Sequence, residues 1–348
     1  MQNTEQTIRI GIVGAGSNTR EKHIPGLQNI DGVKIVSVAN RRRESSERVS
    51  REFSIPQVYD SWQDLVKAPD IDAVVIGTWP YLHCPVTIAA LSEGKHVMCE
   101  ARMAMNAKEA TQMYEVAQQH PNLVAQVVPS PTTLQVDNTV KRLIGEGYLG
   151  QILAVEVHAT DGAFLDVKAP IHWRQDFEFS GLNVMSLGIW YETLMRWIGE
   201  ASSVTAKGKI FCTERHDPQT GFRKLIKIPD HLVVLAEMSC GALATFVLST
   251  ITGHKSTYEV TLFGSEGTLR FRNGVLSGVR RNEEDFSEIP IQPEELNGWR
   301  VEEEFVAAIR GTETIKYTTF ENGMKYMDFT EAVARSLAEE KSISLPLR

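Results

Sequence analysis

The sequence predicts an α/β protein in two parts: an N-terminal Rossmann domain with a doubly wound parallel sheet, then an α+β domain with a large open, mostly antiparallel sheet. Three observations carry this. The first third alternates short apolar runs with amphipathic stretches, the pattern of βαβ units. A glycine-rich turn follows the first run. The second half instead groups its β-rich stretches, with turn residues between them. At 348 residues the chain exceeds what one hydrophobic core usually organises, which suggests about two domains.

The predicted parallel strands are residues 8–13, 33–39, 73–76, 96–99 and 123–128. Helices cover both faces of a parallel sheet, so its strands read as continuous apolar runs, as these do. Before the last strand, Asn106 and Glu109 have capping-box spacing, and Ala110, Met113, Tyr114 and Ala117 form an apolar stripe at helical period. Pro121 ends that helix, and Pro129 and Pro131 punctuate the chain beyond the strand. The boundary is placed there, giving domains 1–128 and 129–348. In the second, a helix ends near Gly147, and β-rich stretches cover 152–159, 204–211, 232–251 and 258–271, with Gly264-Ser265-Glu266-Gly267 as one of the turns. A central helix over 183–198 and an amphipathic helix over 329–340 complete the reading.

Composition excludes several classes of function. Formal net charge is −8, from 36 basic and 44 acidic residues, so there is no large positive field to bind nucleic acid. Cys84, Cys99, Cys212 and Cys240 lack C-x-x-C spacing, and the histidines and carboxylates are not clustered as ligands. Neither a disulfide framework nor a metal site is expected. Residues 1–7 are polar, with no apolar signal core, and no later apolar run is long enough to span a bilayer. A cytoplasmic protein without a membrane partner is expected.

The chemistry begins at Gly11-Ile12-Val13-Gly14-Ala15-Gly16-Ser17-Asn18-Thr19, between the first strand and a helix, where a dinucleotide fingerprint works. Gly14 permits the tight turn and Gly16 the approach of a pyrophosphate, whose charge meets the helix N-terminus opened by Ser17 and Asn18. Thr19 replaces the third glycine of the fingerprint. The second strand ends at Asn40 and runs into Arg41-Arg42-Arg43. A carboxylate there would repel a ribose 2′-phosphate, whereas an amide and a guanidinium bind it, so NADP is expected over NAD.

The segments 71–76, Thr78-Trp79-Pro80-Tyr81-Leu82-His83, Ala89-Ala90-Leu91 and 94–100, with 181–199 and 320–346, together resemble the glucose-fructose oxidoreductase, inositol dehydrogenase and rhizopine-catabolism family over nearly the whole chain. That resemblance implies hydride transfer between a nicotinamide cofactor and a sugar, cyclitol or related polyhydroxylated substrate. It also implies a homo-oligomer, dimer or tetramer, formed through the C-terminal sheet. It carries over Thr78, Trp79, His83, Glu100 and Arg102 as cofactor contacts. The family's Glu-Lys-Pro stands here as Glu100-Ala101-Arg102, and its aspartate and histidine on the central helix align with Ser186 and Trp190. The usual proline after the threonine is displaced by Trp79 to position 80.

Alcohol oxidation requires a group that takes the hydroxyl proton, and Ser186 and Trp190 are not such groups. Arg102 would polarise a carbonyl or hold an anion, but is a poor base. His172, in Pro170-Ile171-His172-Trp173-Arg174, is the best titratable candidate. Asn183, Ser186, Trp190 and Thr193 are predicted to share a helix face toward the substrate. Asn183 thus joins His172 and Arg102 as catalytic candidates, and Trp173, Arg174, Ser186 and Trp190 are the substrate candidates. Trp190 reads equally as a ring platform or as core. Glu192 and Arg196 have the spacing of an intrahelical ion pair, and Glu192, Lys168 and Asp176 are lesser acid/base candidates. The missing lysine, aspartate and histidine keep two alternatives open: a non-catalytic dinucleotide- or sugar-binding sensor, and a redox-assisted glycosidase.

Overall fold

The computed structural model describes residues 7–347; residues 1–6 of the polar N-terminal stretch and residue 348 lie outside them. The chain divides into two compact units, Met1–Pro129 with Arg300–Met324, and Ser130–Trp299 with Lys325–Arg348.

The first unit is built on strands β1 (Ile8–Val13), β2 (Val33–Ala39), β3 (Gln57–Val58), β4 (Ala73–Ile76), β5 (His96–Cys99) and β6 (Ala125–Val127). They pair in parallel in the order β3-β2-β1-β4-β5-β6. The order reverses between β1 and β4, so the loops leaving their C-terminal ends open a crevice at that point. All four residues of β4 are buried, as a strand covered on both faces must be. The helices are α1 (Ile24–Gln28), α2 (Arg43–Phe53), α3 (Trp62–Lys67), α4 (His83–Ser92) and α5 (Ala107–Gln119). Asn106 caps α5 by accepting from Glu109 N–H at 2.9 Å, while the Glu109 carboxylate reaches back to Met105 N–H rather than to Asn106.

Residues 300–324 return to this unit, whereas the sequence reading gave everything after 128 to the second domain. The return is held by long-range polar contacts that leave no local pattern. The Gln126 amide donates to Glu304 Oε2 and Tyr317 O, both at 2.8 Å, and Val127 N–H donates to Thr318 O at 3.0 Å.

The second unit contains α6 (Asp137–Gly145), β7 (Ile152–Thr160), α7 (Phe177–Ser180), α8 (Leu187–Ile198) and β8 (Ala201–Lys209). A small hairpin, β9 (Glu214–His216) with β10 (Arg223–Leu225), follows. Then come β11 (His231–Met238), β12 (Leu243–Ser249), β13 (Thr257–Gly264), β14 (Gly267–Arg272), β15 (Val275–Arg280) and β16 (Ser287–Glu288). Helix α9 (Val301–Ile309) belongs to the first unit, and the division falls within α10 (Phe320–Glu339), before β17 (Ile343–Ser344). The large sheet runs β16-β15-β14-β13-β7-β12-β11-β8-β17. Every pair in it is antiparallel except β12 with β7.

One face of this sheet is core. Leu232, Val234 and Ala236 alternate inward on β11, and Tyr191 of α8 stacks on Phe329 of α10 at 3.6 Å between ring centroids. The opposite face carries Val233, Leu235 and Leu243 exposed. The predicted central helix is shorter than expected. Helix α8 begins at Leu187, and Met185 at φ 45° breaks any continuation back to Asn183. Asn183 therefore does not share a helix face with Trp190, and its side-chain amide donates to Ser180 O at 2.7 Å instead.

Candidate active site

At the end of β1, Gly14 takes φ 84°, and a Cβ there would stand 2.5 Å from Thr78 Cγ2 and 2.8 Å from Thr78 N. Only glycine lets the loop after β1 approach the end of β4 so closely. A Cβ on Gly77 would fall 1.9 Å from Thr19 Oγ1. Thr19 is buried and donates its hydroxyl to Gly14 O at 3.3 Å, so it closes the turn where the fingerprint has its third glycine. Helical structure begins at Ser17 and passes through a π-helical turn over Thr19–His23 into α1.

Gly14, Ala15, Gly16, Asn40, Arg41, Thr78 and Trp79 line one cavity of about 480 Å³, completed by Ser45, Asp60, Trp62, Tyr81 and Leu82 among others. Asn40 braces this wall. Its Oδ1 accepts from Ala15 N–H at 2.7 Å and its Nδ2 donates to Ser45 Oγ at 3.2 Å. Arg43 pairs with Glu47 at 2.9 Å and Asp60 at 2.5 Å, and the side chain of Arg41 is exposed at the cavity wall. Among the described residues, the buried Thr78 Oγ1 has no hydrogen-bond partner. A cradle that a side chain would fill, an orphaned hydroxyl in its wall and a helix starting just beyond it fit the pyrophosphate of a nicotinamide dinucleotide.

The remaining residues expected at the cofactor stand behind or beside this wall. His83 is fully buried, with ring nitrogens 2.9 Å from Thr78 O and 2.9 Å from Arg102 O, and burial pushes its pKa down. It ties the end of β4 to the segment after β5, where the Ala101–Arg102 peptide is cis and Arg102 is buried. Glu100 accepts from Asn18 Nδ2, from His23 Nε2 at 2.9 Å and from Ala101 N–H at 3.0 Å. Burial resists its ionisation, but the bonds from His23 and Asn18 hold its pKa below the usual carboxylate range. On the other side of the ring, His23 Nδ1 lies 2.5 Å from Glu302 Oε1. His23 and Glu302 were not found from sequence. His23 stands five residues after Asn18 on one helical segment, but its partner is 279 residues away.

In the second unit, His172 and Arg174 are exposed and Trp173 partly so. The Arg174 guanidinium lies 4.3 Å from the Trp173 ring centroid, and the His172 ring stands 5.7 Å from the same tryptophan. Burial and the charge of Arg174 lower the His172 pKa, which keeps the ring neutral at pH 7. Its Nδ1 faces Arg174 N–H at 3.2 Å. With Nδ1 accepting, a neutral ring carries its proton on Nε2. Ser186 is half-buried at the N-cap of α8, where its side chain makes no capping bond. Trp190 is buried and packs on Tyr258 at 5.5 Å, and Thr193 bonds Ile189 O.

The lesser candidates are occupied by structure or open to solvent. Glu192 accepts from Ser130 N–H through both oxygens and pairs with Arg196 at 2.6 Å, the expected intrahelical ion pair. Asp176 caps α7 and binds Lys224 at 2.8 Å, and Lys168 is exposed. The loop that carries His172 is tied to Arg215 of β9. That buried guanidinium donates to Phe164 O, Asp166 O and Ala169 O at 2.6–3.1 Å.

Comparison with known proteins agrees with this geometry. The family model described as "Oxidoreductase family, NAD-binding Rossmann fold" matches residues 8–127, and that of the GFO/IDH/MocA C-terminal domain matches residues 138–270. The chain is 23% identical to D-xylose 1-dehydrogenase (NADP(+)) of Haloarcula marismortui, over 98% of this chain and 94% of that protein. It is 27% identical to inositol 2-dehydrogenase of Serratia proteamaculans, over 51% of this chain and 58% of that protein. Among solved structures, levoglucosan dehydrogenase in complex with NADH and L-sorbose superposes with a TM-score of 0.87 at 20% identity, covering 98% of this chain and 99% of that one.

Proposed function

Because the chain belongs to the GFO/IDH/MocA oxidoreductase family, we propose that it transfers a hydride between NADP and a hydroxyl-bearing carbon of a sugar, cyclitol or similar polyhydroxylated molecule. The observation that carries the cofactor reading is the cavity at the end of β1 and β4, with its glycine cradle, orphaned Thr78 hydroxyl and Arg41 wall. Gly14, Gly16 and the helix opened by Ser17, Asn18 and Thr19 hold the pyrophosphate. Thr78 donates its hydroxyl to the bound group, Trp79 walls the cavity, and His83 supports Thr78 from behind. The cofactor, when bound, supplies the hydride chemistry that no side chain has.

The preference for NADP rests on Arg41. Asn40, where a carboxylate would accept from an unphosphorylated ribose, has its carbonyl committed to Ala15. Asp60, the acid in the wall, is offset by Arg43, and the exposed Arg41 guanidinium at the same wall is a cation suited to a 2′-phosphate. The substrate half of the reading rests on the exposed His172, Trp173 and Arg174 cluster: an aromatic face for a ring, a cation, and an imidazole N–H for a hydroxyl or carbonyl oxygen. Arg102, Asn183, Ser186 and Trp190 remain part of the proposed site through the resemblance alone. The exposed sheet row of Val233, Leu235 and Leu243 supports a homo-oligomer through that face.

Parallel fluorescence titrations with NADPH and NADH test the cofactor reading. NADPH should bind tighter, and Arg41→Ala should remove its advantage by about 10-fold or more, the loss of a charge-assisted phosphate contact. Equal affinities for both cofactors in the wild-type protein contradict the NADP preference, and binding of neither contradicts the dinucleotide site.

A further inference from the structure

Among the described residues, the first unit contains a buried ionic chain that the hydride-transfer reading does not use. His23 is fully buried, held between Glu100 Oε1 at 2.9 Å and Glu302 Oε1 at 2.5 Å, and the Glu302 side chain is 1% exposed. Its three members come from the helix after the glycine turn, the end of β5 and α9. The chain is graded outward. Glu100 is 14% exposed, and Asn18, which donates to it, is exposed in the loop-and-helix start beside Gly16.

A buried ion triad is a poor way to fill a core, because desolvation consumes most of its attraction and apolar side chains of similar volume usually do as well. Its distinguishing property is geometric: the two ring nitrogens face opposite carboxylates, Nε2 toward Glu100 with Asn18 Nδ2 also 3.3 Å away, and Nδ1 toward Glu302. Helix α1 is shaped for it, since a Cβ on Gly26 would stand 3.0 Å from Glu302 Cγ and 3.2 Å from Glu302 Oε2. The carboxylate is thus seated close against the helix at Gly26, where an added Cβ would force it to shift.

We propose that His23 is a positioning residue for the cofactor: clamped by two carboxylates, it fixes Glu100, which in turn fixes the Asn18 side chain and the Ala101 amide beside the glycine turn. The proposal rests on the dinucleotide reading of this unit. Burial alone would lower the His23 pKa, but the hydrogen bonds to Glu100 and Glu302 outweigh it and raise the pKa to about 9. The charged groups facing the ring are Glu100, directly after β5, and Glu302 from α9; Glu21 and Lys22 on its own helical segment are exposed. The folded pKa lies above the ordinary histidine value. The clamp therefore contributes fully below about pH 6.5 and is lost as pH rises through about 9. Above that, a neutral ring donates to only one of its two acidic partners; with the proton kept toward Glu302, Glu100 retains only its bonds from Asn18 and Ala101 N–H.

The test is NADPH affinity, read by fluorescence from pH 7 to 10.5, in the wild-type protein and Glu302→Gln. The wild-type dissociation constant should rise by about 10-fold through pH 9, and Glu302→Gln, with one carboxylate removed, should move that midpoint down by about 1 pH unit. A purely structural role would change stability without moving the midpoint. An unmoved midpoint, or a wild-type affinity flat to pH 10.5, overturns the proposal. If Glu302→Gln does not fold, carbon-13 NMR of labelled histidine in the wild-type protein takes its place. The imidazole that titrates near pH 9 must share its midpoint with the loss of affinity, and separate midpoints overturn the assignment. Absence of both NADPH and NADH binding at pH 7 overturns the dinucleotide reading and this proposal with it. Binding with an unmoved midpoint overturns this proposal alone.

Discussion

Gly14 carries a backbone constraint that a side chain would break. Its φ of 84° lies in the left-handed region, and the methyl of an alanine would meet Thr78 Cγ2 at 2.5 Å. Gly14→Ala should therefore cost about 1–3 kcal/mol of stability and weaken NADPH binding at least about 10-fold, read from the urea midpoint and a fluorescence titration. An unchanged affinity would mean the turn does not shape the cavity. At this scale the glycines were legible because a tight turn admits few residue types, and their place after the first apolar run gave the context. Asn40 and Glu100 were legible as positions but not as partners. Nothing local says that Asn40 Oδ1 faces Ala15 N–H, or that Glu100 meets His23. Which ring nitrogen of His172 is engaged was not legible either: the Arg174 amide meets Nδ1 in a three-residue helical turn.

The strands of the first sheet were readable because burial on both faces makes them continuously apolar, as β4 and β5 are. Strand β3 was not. It has two residues at a sheet edge, one exposed and one half-buried, and so leaves no run to detect. The hairpin β9–β10 was missed for the same reason, although its buried Arg215 organises the loop before α7. The start of α8 was set by a left-handed residue at Met185, which apolar periodicity does not report. In the large sheet the alternation on β11 is clear, and its outward positions include Val233 and Leu235, opposite Val247 and Thr245 of β12. A lysine at Leu235 would bury a charge in any contact formed by this face. Leu235→Lys should shift the protein from oligomer toward monomer in light scattering, with NADPH affinity unchanged. An unaltered mass in an oligomeric wild type would place the interface elsewhere.

At the scale of the molecule, the charge of −8 argued against nucleic acid, and among the described residues no helix is long and apolar enough to cross a membrane. The order of the parallel sheet puts a crevice at the end of β1 and β4, and the cavity lined by Gly14, Asn40, Arg41 and Thr78 lies there. The fold and family were thus largely readable from the alternation of runs and from the motifs. The return of residues 300–324 was not, because Gln126, Glu304 and Tyr317 meet only in three dimensions. The substrate half carries no lysine, aspartate or histidine where the family resemblance expects them, so the central claim is hydride transfer itself. The most direct measurement is absorbance at 340 nm with NADP and NAD against D-xylose, levoglucosan, myo-inositol and their keto or lactone products. The account predicts reduction or oxidation of the nicotinamide with at least one of them, faster with the phosphorylated cofactor. Saturable cofactor binding with no absorbance change across that panel in either direction would contradict it and leave a binding protein of the same fold.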